Sequence, residues 1–275
     1  MAHKGNRPSG LTAYAVLIAS SVVLIVPFTI ACFMSFKVIL AVPAFSLNIL
    51  RNLTLDSYKH IISRTKLIRW IANSITVAGS VTAIKLFIDS LAGYTFAKKQ
   101  FLGKELIFTL LLSTVMIPFA MMLIPLFILT KSLGMVNTYA GLILPMLGSP
   151  VGIFLMRQYI ETIPSELQDS GRIDGCSEFA IYLRIFLPIC TPALTLLTVF
   201  TFMFQWTNFI WPLVITTSDS MRTAPVGLAT LRGQYLTNWG AVFGGALISI
   251  VPITIVFVFA QRYFIEGLTV GAIKG

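Results

Sequence analysis

The sequence predicts an all-α polytopic membrane protein with six transmembrane helices. Three observations carry that expectation: 56% of the 275 residues are apolar and only 11% charged, the mean hydropathy is +0.87, and long charge-free intervals recur along the chain. Soluble domains carry about a quarter of their residues as charges, so an ordinary globular domain is excluded. Disorder, a collagen-like repeat, a disulfide scaffold and a coiled coil each need a polar, Cys-rich or periodic composition that is absent here. Cys32, Cys176 and Cys190 are scattered, and His3 and His60 are the only histidines, so neither a disulfide framework nor a zinc constellation is indicated. The net charge of +10 does not call for nucleic acid, because Lys and Arg flanking apolar spans account for it.

A hydrocarbon core of about 30 Å needs about 20 apolar helical residues. Five intervals without ionisable residues are long enough, between Arg7 and Lys37, Glu105 and Lys131, Lys131 and Arg157, Arg184 and Asp219, and Arg232 and Arg262. A sixth, from Ile71 to Ala97, is interrupted by Lys85 and Asp89. The first interval follows Lys4 and Arg7 as a signal peptide would, but it exceeds a signal h-region of about 7–15 residues. Thr29-Ile30-Ala31-Cys32 is also a poor lipid-attachment site, so a retained helix is expected. The expected organisation is an amino-terminal segment at 1–10, a transmembrane domain at 11–262 with a polar loop at 158–185, and a tail at 263–275. Six crossings put both termini and that loop on one side. This side carries ten Lys and Arg against nine on the other, a slight bias that favours the cytoplasm. Trp70, Trp206, Trp211 and Trp239 fall at span ends on the opposite side, as an interfacial anchoring belt would. Prolines 27, 118, 125, 145, 150, 188 and 252 predict broken or kinked spans, which transporters and packed bundles share.

The loop between spans four and five, RQYIETIPSELQDSGRIDGCSEFAIYLR from Arg157 to Arg184, is too polar to cross. Pro164, Ser165 and Glu166 read as a helix start with acids in its first turn. Ile173-Asp174-Gly175 reads as its end and a turn in which Gly adopts a left-handed conformation. A second short helix from Ser177 leads through Phe179, Tyr182 and Phe186 to Leu187-Pro188. An amphipathic connector lying on the bilayer and a docking element for a cytoplasmic partner are the two readings this pattern allows.

This run resembles the EAA loop of the permeases of binding-protein-dependent ABC importers, in particular the carbohydrate branch and its maltose-transporter-type second subunit. The matching residues are Ile163-Pro164, Glu166-Leu167, Asp169-Ser170-Gly171, Ile173-Asp174-Gly175-Cys176 and Leu187-Pro188, with Asp-Ser-Gly in place of the EAA triplet. Other collinear matches are Trp70 with Asn73-Ser74, Ala92-Gly93-Tyr94, Tyr139 to Leu144, Trp206 to Leu213 with Thr207 replacing the usual Asn, and Gln261 to Gly275.

The resemblance implies a permease subunit of an ATP-driven importer in the bacterial or archaeal inner membrane. Its ligand would be a sugar or related polyol, with a glycerol-phosphate-type solute as a minority option. The implied partners are an extracytoplasmic solute-binding protein, a second homologous permease and a homodimeric or paired cytoplasmic ATPase, which would hold ATP and Mg. The chain itself is expected to be no enzyme and to hold no cofactor, since no G-x-x-x-x-G-K-[ST] run occurs and no catalytic constellation stands out. Glu166, Asp169, Ser170, Gly171, Asp174 and Gly175 are the candidate ATPase-coupling residues, with local turn and capping roles as the competing account. The tail from Gly267, with Lys274, is implied to reach the ATPase, a frayed end being the alternative.

Lys85 and Asp89 share one helix face four residues apart and can pair. Isolated charges at that depth cost about 2.5–3.5 kcal/mol on insertion scales. They lie either on the translocation path, at the interface with the second permease, or in a self-neutralising buried pair. Asn73, Gln205, Trp206, Asn208 and Trp211 are the candidate ligand-path residues, because sugar rings stack on aromatic faces and their hydroxyls bond to amides. An ion-coupled secondary transporter is the alternative function; it would show related halves and intramembrane carboxylates, of which Asp89 is the one clear example. A membrane-embedded enzyme would need a catalytic cluster.

Overall fold

A computed structural model describes residues 10–39, 53–148, 150–231 and 238–272. The described residues form helices and turns, with no strand among them. In chain order the α-helices are α1 Gly10–Ser35, α2 Asp56–Arg64, α3 Leu67–Lys98, α4 Lys104–Ser113, α5 Phe119–Ser132, α6 Tyr139–Ile143, α7 Pro150–Glu161, α8 Glu166–Ile173, α9 Glu178–Ile181, α10 Leu187–Ile189, α11 Thr191–Thr207, α12 Ile210–Ile215, α13 Ala224–Thr230 and α14 Trp239–Ala272.

Three helices, within α1, α3 and α14, are long and apolar enough to cross a membrane unaided. The other apolar intervals are broken. Lys104–Met116 and Phe119–Ser132 meet at 101°, and Glu178–Ile189 and Thr191–Thr207 at 79°. Pro118 explains the first break: it has no N–H to continue the ladder, and it holds Ile117 in an extended conformation (φ −84°, ψ 113°). The second break lies between Pro188 and Pro192, preceded by a π-helical stretch at Tyr182–Phe186. The charge-free intervals therefore locate apolar chain correctly but do not show its bends. The last helix continues to Ala272, past the expected boundary at 262, while Lys274 lies outside the described residues.

The chain divides into two units, residues 1–67 with 228–250 and residues 68–227 with 251–275. In the first, α1 turns almost its whole surface outward, as a helix covered by lipid would. Its end is tied to α2 by a hydrogen bond between Ser35 Oγ and Tyr58 Oη (2.8 Å) and by Ser57 Oγ donating to Lys37 O (2.6 Å).

In the second unit, α3 is the central element. Its 32 residues extend about 48 Å at 1.5 Å per residue, well beyond a core of about 30 Å. Both ends can therefore stand in water while the middle stays in hydrocarbon. Val77 and Val81 pack with Leu142, Met146, Trp211 and Ile215 near one end; Tyr94 packs with Met156, Ile160, Ile181, Tyr182 and Phe186 near the other. Gly93 permits α7 to come close, since a Cβ there would lie 2.9 Å from Arg157 N.

Three of the four tryptophans do not join the expected interfacial belt, Trp239 being the one that is partly exposed. Trp70, Trp206 and Trp211 are all buried. Trp70 donates its indole N–H to Asp219 O (2.8 Å) and Trp211 donates to Gly141 O (2.9 Å). An indole can be buried where a backbone carbonyl accepts its one donor, and span-end position alone does not reveal that.

Candidate functional site

The polar loop folds into a helical hairpin. Ile163 is buried, Pro164 follows it, and α8 runs from Glu166 to Ile173 with Ser165 at its N-cap position. Gly175 closes α8 in the left-handed region (φ +73°), a conformation that side chains with a Cβ resist. Ser177 caps the next helix, its hydroxyl accepting from Ala180 N at 3.3 Å. Gly171 faces this second arm: a Cβ there would meet Ile185 Cδ1 at 2.9 Å and Ile181 Cγ1 at 3.0 Å. Of the six coupling candidates, Gly171 and Gly175 thus shape the hairpin, while Glu166, Asp169, Ser170 and Asp174 are exposed on it. Ile173 stands out among them, an isoleucine 86% exposed.

A cluster of charges locks the hairpin from behind. Glu178 binds Arg172 through Oε1 (2.9 and 3.1 Å) and pairs with Lys99 through Oε2. Arg172 also bonds Asp169 at 3.1 Å. The buried Gln168 amide, with its oxygen turned towards the cations as the hydrogen-bond pattern requires, accepts from Lys99 (3.0 Å) and Arg172 (2.8 Å). The hydrogen bond from Lys99, with Arg172 adding to it, holds Glu178 down at about 2. Nearby, Arg157 bridges Glu105 (3.0 Å) and Glu161 (2.8 Å), joining the start of α4 to the end of α7.

Lys85 and Asp89 form a buried ion pair at 3.2 Å, their side chains 6% and 1% exposed. They face the gap between α6 and α7. Lys85 donates to Leu147 O at 3.4 Å, and Asp89 lies against Gly152, whose added Cβ would be 2.7 Å from Asp89 Cγ. The cation thus sits at the carbonyl end of one helical piece and the anion at the amide end of the next, the arrangement that helix dipoles favour. Neither carboxylate oxygen accepts a hydrogen bond among the described residues, so Lys85 serves Asp89 through its charge.

At the opposite end of α3, side chains clamp the backbone of residues 215–224. Asn73, fully buried, donates to Ser220 O and Arg222 O (both 2.8 Å) and accepts from Tyr139 Oη (2.7 Å). Ser74 Oγ accepts from Ala224 N (2.8 Å). Asn137, at φ +60°, accepts through Oδ1 from Thr217 N, Ser218 N and Ser218 Oγ, each at 3.0 Å. Among the ligand-path candidates, Asn73 and Trp211 are therefore committed to this framework, and Trp206 stacks on Phe202 (5.7 Å). Asn208 ends α11 in an extended conformation and touches Met146 Sδ at 3.6 Å. Gln205 is largely buried, and its side-chain amide has no hydrogen bond among the described residues.

The profile of a family described as binding-protein-dependent transport system inner membrane component matches residues 89–268, from Asp89 through the hairpin and α11 into α14. The chain belongs to this family. The permease is 42% identical to the arabinooligosaccharides transport system permease protein AraQ of Halalkalibacterium halodurans, over 82% of this chain and 81% of that protein. It is 35% identical to the lactose transport system permease protein LacG of Rhizobium radiobacter, over 74% of each chain. A solved bacterial ABC transporter, described as involved in the import of the acidic polysaccharide alginate, contains a chain that superposes with a TM-score of 0.83. That superposition covers 96% of this chain and 99% of the other at 21% identity, and it shows a shared fold.

Sequence reasoning on the permease missed Lys98, Lys99, Arg172 and Glu178 as a group, treating the lysines only as topology-setting charges. The available signal was their pattern: a Lys pair closing the apolar run of α3 and a Glu one residue after the Ser that caps α9.

Proposed function

We propose that this permease is one subunit of an ATP-driven ABC importer that admits a sugar or related polyol delivered by an extracytoplasmic solute-binding protein. The sugar class rests on the relatives named for arabinooligosaccharides and lactose. The span count of six follows from counting each bent pair as one crossing, with both termini and the hairpin in the cytoplasm. In this reading the chain has a short amino-terminal segment, a transmembrane domain interrupted by the hairpin, and a carboxyl-terminal end of the last helix directed at the ATPase.

The observation that carries the reading is the hairpin. It is braced by Gly171 packing and by the Glu178 cluster, yet it turns Glu166, Asp169, Asp174 and Ile173 outward. A rigid element of this kind, seated on an ATPase that closes on ATP and Mg, moves attached helices as bodies instead of deforming a loop. A second, homologous permease completes the pathway. Gln205 and Asn208 line the ligand path in this reading, with Trp206 beside them, and Asn73 and Trp211 hold the framework around it. The Lys85–Asp89 pair serves the broken helix, which removes the main support for an ion-coupled carrier.

The test is purification of the complex with co-expressed neighbouring subunits, comparing the wild type with Gly175→Arg and Asp169→Lys. Copurification of a second permease and an ATPase, with the ATPase lost from either variant, supports the importer. A chain that stays alone and transports without ATP overturns it.

A further inference from the structure

The hairpin is bound to α3 as well as to the helix that follows it in the chain, and the attachment is built at both of its ends. Lys98 donates to Ile163 O (2.5 Å), just before α8, and lies 5.7 Å from the centre of the Phe186 ring. Lys99, next in sequence, pairs with Glu178 at the start of α9. Glu178 also accepts from Tyr94 Oη at 3.3 Å, and the Lys99 ammonium stands 5.4 Å from the centre of the Tyr94 ring. One turn further into α3, Ser90 Oγ and Tyr182 Oη share a buried hydrogen bond of 2.7 Å. Tyr94 meets Tyr182 and Phe186 at ring separations of 5.5 and 5.0 Å. Hydrogen bonds and aromatic contacts thus follow one face of α3 from Ser90 to Lys98, and the ion pair joins at Lys99, the residue just past its end.

We infer that Glu178, held between Lys99 and Arg172, is a positioning residue that fixes the hairpin to α3, so that the two move as one body when the ATPase closes. The covalent link from the hairpin passes through the π-helical stretch at Tyr182–Phe186 and the 79° bend before α11. Such a link changes direction and can flex. The path into α3 has no break, because α3 is continuous from Leu67 to Lys98. Movement of the hairpin therefore reaches Asp89 and Lys85, about 14 and 20 Å further along the helix axis from Lys98 at 1.5 Å per residue. There the ion pair meets the gap between α6 and α7. This inference rests on the hairpin being the ATPase-docking element.

The experiment uses the assembled complex, with native cysteines replaced and spin labels at Leu167→Cys on the hairpin and Leu102→Cys just beyond α3, both exposed. The label separation is measured without nucleotide and with ATP plus vanadate. In the otherwise wild-type protein it should hold within about 1–2 Å, the scale of a small helix adjustment. Glu178→Lys and Lys99→Glu should each broaden and shift the separation on ATP binding while the ATPase stays bound, and the swapped pair Lys99→Glu/Glu178→Lys should narrow it only in part, because a lysine at position 178 also faces Arg172. Glu178→Gln, which keeps the side-chain size and one acceptor oxygen, should give an intermediate broadening and covers the case in which the charge reversals do not accumulate. A wild-type separation that itself changes with ATP, or single variants that match the wild type, overturns the inference and leaves docking intact. If Asp169→Lys on the outward face keeps full ATPase binding, the docking role itself fails, which is a separate result.

Discussion

Removal of Lys85 should destabilise the permease more than removal of Lys85 and Asp89 together. The Asp89 side chain is 1% exposed and its counter-charge is the Lys85 ammonium at 3.2 Å. Lys85→Met leaves a buried, uncompensated carboxylate, which costs about 3–5 kcal/mol, or a factor of at least about 100 in the folded ratio at about 1.4 kcal/mol per decade. In the double variant Lys85→Met/Asp89→Ala neither a charge nor a polar side chain is stranded. What remains unpaired is chiefly Leu147 O, which accepts from Lys85 in the wild type, at about 1–3 kcal/mol. The reversed pair, Lys85→Asp/Asp89→Lys, should also fail, although charge is conserved. It places a long side chain where Gly152 leaves room for a short carboxylate, and it offers an anion to a carbonyl oxygen. The assay is heat-induced loss of the monodisperse purified complex in detergent, followed for the four proteins alongside their levels in membranes. A double variant as unstable as Lys85→Met, or a reversed pair as stable as wild type, would refute this account of the pair as a brace for the helix break.

Other consequences follow from the same geometry. Asn73→Ala removes three hydrogen bonds to buried groups and should lower stability by at least about 1–3 kcal/mol, seen as a lower melting temperature; unchanged stability with lost uptake would instead mark Asn73 as a ligand contact. Gly171→Ala should cost under about 1 kcal/mol, because its Cβ meets the far ends of two isoleucine side chains that can move, whereas Gly171→Leu should cost about 1–3 kcal/mol by overpacking and weaken ATPase retention in a pull-down. Glu178 is held at about 2, below its ordinary value of 4.5. Its contribution is therefore fully present above pH about 4.5 and is lost as pH falls from there towards 2. The hairpin's label separation should then be constant across neutral and mildly acidic pH, and a transition near neutrality would contradict the assignment.

Much of this protein is legible in its sequence because the bilayer imposes strict rules on composition. Apolar runs must be helical where water is absent, so the run lengths in 10–35, 67–98 and 239–259 reported helices directly. The hairpin was equally legible, since Pro164, Gly175 and Ser177 act through local backbone chemistry that needs no distant partner. The i,i+4 spacing likewise announced the Lys85–Asp89 pair, being fixed by helix geometry alone.

The tertiary structure decided which partner each polar group takes. Nothing local to Lys99 points to Glu178, 79 residues away, or links Asn73 to carbonyls 147 and 149 residues along the chain. Pro118 marks the break in the sequence, but the angle of 101° between the two pieces is not written in the proline itself. The tryptophans illustrate the same division: their place at span ends was written in the sequence, but whether each ring faces lipid or the interior depended on a carbonyl brought from another helix. Local rules fix conformation because they act within a turn of helix, whereas the pairing of buried polar groups is settled by segments that meet only once the chain has folded.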